Sequence, residues 1–241
     1  MANFAIFGCT GGIGLSITQK LLNQGHRIFG VARNLEKLDD LKSKNQNIIT
    51  HSIENPNFDE IEDSFKLADN YFENFSGIIN CIGSLVLKPA HITNQTDWDN
   101  IILTNLTSSM SILRSSVKRI SKEGGSIIFF SSSAGLIGLP NHEAIASAKA
   151  GIIGLTKSAA ATYAKKNIRV NCIAPGLVNT PLSNRIINNK IALETSLKLH
   201  PLNKIGEPDV IAECIEWLIS EKNNWTTGQV ISLDGGLTSV K

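Results

Sequence analysis

NFAIFGCTGGIG, residues 3–14, is the stretch that decides the fold. Its first five residues form a short apolar, β-prone run. The residues from 12 to 24 carry a helical period, and glycines crowd the turn between the two. Glycine lets the backbone turn tightly and approach a pyrophosphate, while the following helix N-terminus offers unpaired N–H groups and partial positive charge. A glycine-rich turn alone is a weak signal, but its place between a first strand and a first helix marks a dinucleotide site. Gly8, Thr10, Gly12, Ile13 and Gly14 are the candidate contacts.

The same alternation continues to the end of the chain. Strands are predicted at 3–7, 27–31, 47–50, 77–80, 126–130, 168–173 and 229–233, and helices at 12–24, 35–44, 58–74, 97–121, 142–165 and 208–220. Repeated βα units of this kind predict an α/β fold, a single Rossmann-type domain over 1–241 with a doubly wound, seven-stranded parallel sheet flanked by helices. The segment from Pro175 to about Pro201 has no clear period and reads as a polar functional loop.

Composition narrows the function classes. The 241 residues, 42% of them hydrophobic, can supply one large core. A formal charge of +2, with both signs mixed along the chain, offers no basic stripe for nucleic acid. Cys9, Cys81, Cys172 and Cys214 lack disulfide or metal-ligand spacing, so no metal site is expected. With no signal-like start and no membrane-length apolar run, the expectation is a cytoplasmic protein without a membrane or nucleic-acid partner.

The second strand ends in VARN. An acidic residue there would accept hydrogen bonds from the adenosine ribose of NAD(H). Ala32 cannot, whereas Arg33 can pair with a 2′-phosphate, so NADP(H) is the preferred cofactor and NAD(H) a possible one.

Taken together, the motifs resemble those of the short-chain dehydrogenase/reductase family along essentially the whole chain. FGCTGGIG is similar to its glycine motif TGxxxGxG, and NCIG to its NNAG motif, with Asn80 and Gly83 matching. Asn105, in DWDNIILTNLT, corresponds to its helix-borne asparagine, and Ser132, in FFSSSAG, to its catalytic serine. RVNCIAPGLVNTPL resembles the segment after strand six, which implies that Pro175 and Gly176 shape the cofactor loop and that Thr180 touches the nicotinamide carboxamide. The adenine-side aspartate found in many members corresponds to Ser52.

In the family's YxxxK motif a tyrosine exchanges the proton, and the lysine one turn later holds the nicotinamide ribose. The serine binds the substrate oxygen, and the asparagine supports a water chain behind them. Here the motif reads IASAK, Ile145 to Lys149, so the lysine is in register and the proton donor is not. Neither Tyr71 nor Tyr163 can substitute. His142, two turns before Lys149, is a candidate replacement acid, with Asn141 the expected helix N-cap and His142 in the first turn. The catalytic set is therefore Ser132, Lys149, Asn105 and His142. The function implied is NADP(H)-dependent oxidoreduction of a small carbonyl, alcohol or conjugated enone, the alternative being a catalytically silent nucleotide-binding homologue that acts as a sensor or partner subunit. Family members commonly form dimers or tetramers through the two long helices, so a homo-oligomer is expected. Leu85 to Ala90 and the 183–200 segment are expected to wall the substrate pocket.

Overall fold

Burial on both faces explains why the strands read as short, nearly continuous apolar runs. A computed structural model describes residues 1–240; Lys241, included in the predicted domain, lies outside the described residues. Among them are seven strands: β1 Asn3–Phe7, β2 Arg27–Ala32, β3 Ile48–Ser52, β4 Gly77–Asn80, β5 Gly125–Phe130, β6 Ile168–Pro175 and β7 Val230–Leu233. They form one sheet in the order β3-β2-β1-β4-β5-β6-β7, with every pairing parallel. The order reverses between β1 and β4, which opens a crevice at their carboxyl ends.

Two hydrophobic layers sandwich the sheet. On one face α1 (Gly12–Asn23) and α9 (Pro208–Ile219) cover Ile6, Ile28, Ile79 and Ile128. On the other, α3 (Phe58–Ala68), α5 (Ser108–Ser116) and α6 (Glu143–Tyr163) cover Phe7, Phe29, Ile78 and Phe129. A chain of aromatic contacts runs from Phe7 through Phe65 and Phe75 to Phe72 and Phe29. α2 (Leu35–Lys44) starts at Asn34, whose side chain accepts from the Lys37 N–H.

Three predicted elements differ. The helix expected over 58–74 stops at Ala68, because the chain then turns to send Phe72 and Phe75 into the core. Asp69 just beyond it is gripped by the Arg119 guanidinium through two bonds of 2.8 Å. The helix expected over 97–121 begins at Gln95, capped by Asn94, and ends at Ser116. Beyond it the chain turns, so that the Arg119 carbonyl can accept from the Phe75 N–H. Between α4 (Gln95–Ile101) and α5, residues Ile102–Thr107 form a π-helical segment.

The supposed loop after β6 is also helical in part. It holds α7 (Asn184–Ile187) and α8 (Lys190–Leu199), the latter capped by Asn189, whose side chain accepts from the Ala192 N–H. Among the described residues, no helix is long and apolar enough to cross a membrane and no cluster of potential metal ligands occurs.

Candidate active site

Three backbone approaches explain the glycine turn. Gly8 has φ +81°, in the left-handed region, and a Cβ there would sit 2.8 Å from the Cys81 carbonyl. A Cβ on Gly14 would lie 2.1 Å from the Gly8 oxygen, and one on Gly12 would lie 2.6 Å from Thr180 Cγ2. The turn is therefore packed against the loop after β6, with half-buried Thr10 inside it. Gly11 caps α1 without a side-chain bond, and the first amide of that turn to find a helix partner is Leu15, on the Gly11 carbonyl. The Gly11 N–H is spent on the Gly8 carbonyl, and those of Gly12, Ile13 and Gly14 are left for an anion, as a pyrophosphate requires.

A cavity of about 520 Å³ opens beside this turn at the carboxyl edge of the sheet. It gathers Ile13, Gly83, Ser132, His142, Lys149, Pro175, Gly176 and Thr180. Ile145 also lines it, only 2% exposed and packed with Ile101, Ala144 and Ala148. Asn80 does not line it: its side chain accepts from the Ile82 N–H at 3.0 Å and donates to Ser109 at 3.1 Å, so it shapes the loop after β4 from behind. Asn105 likewise stands behind the wall. Arg33 lies apart, exposed at the end of β2 and without a hydrogen bond or ion pair among the described residues.

The triple serine divides its work. Ser131 donates to the Lys149 carbonyl at 2.9 Å and ties α6 to the end of β5. Ser133 bonds the Pro175 carbonyl at 3.2 Å and Asp234 at 3.3 Å, joining the ends of β5, β6 and β7. Ser132 accepts from the Ala134 N–H at 3.2 Å, and its own hydroxyl proton has no acceptor among the described residues. It is the serine free to donate into the cavity.

Lys149 is buried and donates to the Phe130 carbonyl at 2.9 Å. Burial pushes its amine down to about 8. His142 is not in the first turn of α6 but is its N-cap residue, because Asn141 adopts a left-handed φ of 64° that swings the chain into the helix one residue later. His142 Nδ1 lies 2.7 Å from the Pro140 carbonyl, so Nδ1 must carry a proton. Neither Tyr71 nor Tyr163 lines the cavity.

Two groups were not singled out by the sequence, His200 entering only as the end of the 183–200 segment expected to wall the pocket. His200, buried at the end of α8, approaches the Ser196 carbonyl through Nδ1 and accepts from the Leu177 N–H through Nε2 at 3.2 Å, tying the helical cover to the loop after β6. Ser84 bonds Asn105 and faces the cavity. Leu85, Leu87, Ile186, Ala192 and Leu199 complete an apolar wall.

Residues 8–238 match the family described as Enoyl-(Acyl carrier protein) reductase. The chain belongs to the short-chain dehydrogenase/reductase family. It is 31% identical to a tropinone reductase homolog of Arabidopsis thaliana, over 97% of this chain and 90% of the relative. It is 30% identical to the 3-oxoacyl-[acyl-carrier-protein] reductase FabG of Thermotoga maritima, over 96% of each. The solved structure of ElxO with NADP bound superimposes with a TM-score of 0.91 at 29% identity, covering 99% of this chain and 100% of that one.

Proposed function

We propose that the chain is an NADP(H)-dependent oxidoreductase of small carbonyl, alcohol or conjugated enone substrates, working as a homo-oligomer and with Ile145 in the seat of the family's tyrosine. The observation that carries this reading is the meeting of Ser132, Lys149 and Thr180 with the first turn of α1 around one cavity at the sheet's switch point. Packed glycines and unpaired amides fit a pyrophosphate, and exposed Arg33 beside Ala32 fits a 2′-phosphate. NADP in the ElxO neighbour supports the same choice.

The nucleotide, when bound, gives a hydride to the substrate carbon or takes one from it. The residues must then manage the oxygen. Ser132 donates a hydrogen bond to it, and Lys149 supplies positive charge behind the site. Ile145 has no proton to exchange, so the proton falls to His142. With Nδ1–H committed to Pro140, Nε2 of the neutral ring can only accept. His142 therefore takes the proton of an alcohol as imidazole and gives one to an alkoxide as imidazolium.

The test is NADPH consumption with a panel of ketones and enones, comparing the unmodified chain with Ile145→Tyr and His142→Gln. The expected result is slow turnover by the unmodified chain, acceleration of about 10²–10⁴-fold on restoring the tyrosine, and loss with His142→Gln. Turnover by Ile145→Tyr alone would overturn the reading in favour of a silent subunit.

A further inference from the structure

We propose that the hydroxyl of Ser84 is a second hydrogen-bond donor to the substrate oxygen, acting beside Ser132 where Ile145 offers none; this rests on the carbonyl-site reading above. The hydrogen bonds of one amide, that of Asn105, place the Ser84 proton. The Ser84 backbone N–H donates to Asn105 Oδ1 at 3.3 Å, which fixes the orientation of the Asn105 side chain. Asn105 Nδ2 then spends its two protons, one on the Ile101 carbonyl and one on Ser84 Oγ, each at 2.9 Å. Because Ser84 Oγ accepts from Asn105, its own proton points elsewhere. It has no acceptor among the described residues, and Ser84 lines the cavity.

The placement suits the chemistry. Asn105 is 1% exposed, so its amide is a rigid support rather than a solvated group. A Cβ built on Gly83, the residue before Ser84, would lie 3.4 Å from Asn105 Oδ1 and 3.7 Å from Lys149 Nζ. The amide and the amine therefore both approach the Gly83 backbone next to Ser84. As hydride reaches a carbonyl carbon, the π electron pair moves to the oxygen, and donors already aimed at it stabilise the alkoxide that forms. Ser84 keeps its proton throughout and contributes only the hydrogen bond. A merely structural Ser84 would hold the loop after β4 and never touch a ligand.

The experiment reads the ligand directly. Acetophenone labelled at its carbonyl carbon is bound in the presence of NADP⁺, where no reduction can occur, and its C=O stretch is recorded by infrared difference spectroscopy. With Ser84→Ala the stretch should move to higher frequency, and with Ser84→Thr, which keeps the hydroxyl, it should stay at the wild-type value. If Ser84→Ala fails to fold, Ser84→Cys, a weak donor of similar shape, takes its place. An unchanged stretch, or no acetophenone binding to the wild type, overturns the proposal. NADPH turnover is measured separately. A frequency shift without wild-type turnover leaves Ser84 as a ligand donor and removes the redox reading, whereas turnover without a shift does the opposite. Where both hold, Ser84→Ala lowers kcat/KM by about 10²-fold.

Discussion

Replacing Lys149 by Met should make the fold less sensitive to pH. Burial lowers the Lys149 amine from 10.5 to about 8. The unfolded chain therefore binds a proton that the folded chain resists between those values. Stability rises with pH across that window, and below it the full cost is present, about 3 kcal/mol. Methionine has similar length and no charge, so it removes the cost. It also removes the 2.9 Å bond to the Phe130 carbonyl, which returns about 1–3 kcal/mol of destabilisation. The variant should then be equal to the wild type or up to about 2 kcal/mol more stable near neutral pH. The sharper expectation is the slope. By about pH 9.5 the protonation cost falls to between about 1 and 2 kcal/mol, so the difference between the two proteins should shift by about 2 kcal/mol in favour of the wild type. Urea unfolding without nucleotide at several pH values measures this directly. A difference that stays constant with pH would mean instead that Lys149 is solvated in the folded chain and that burial does not lower its amine.

Gly14→Ala puts a methyl carbon 2.1 Å from the Gly8 oxygen, so the turn must open; a loss of at least about 1–3 kcal/mol in urea unfolding is expected, with weakened NADPH binding by fluorescence. Arg33→Ala should weaken NADPH binding by about 10–10²-fold, the worth of one charge-assisted contact, and leave NADH binding unchanged in the same titration.

Much of this architecture could be read directly from residue order. The strand–glycine–helix opening and the alternation after it fix all seven strands to within two residues at either end, because buried parallel strands must be apolar on both faces. α8 escaped because none of its residues is buried, so its apolar positions answer to the cavity rather than to a core; the Asn189 cap was its one local signal. The π-helical segment depends on a side chain: Asn105 Nδ2 takes the Ile101 carbonyl that a regular helix would reserve for the Asn105 amide. The cap of α6 turns on the left-handed conformation of Asn141, which nothing in NHEAI requires. The bonds of Ser84 to Asn105 and of His200 to Leu177 were invisible for a similar reason, since those partners lie 21 and 23 residues away.

The most direct test is a calorimetric titration of the unmodified chain with NADPH and with NADH. Saturable binding of NADPH and weaker binding of NADH are expected, with Ile145 no obstacle to either. No heat with either nucleotide would contradict this, because the glycine turn and the cavity beside it would then serve some other ligand.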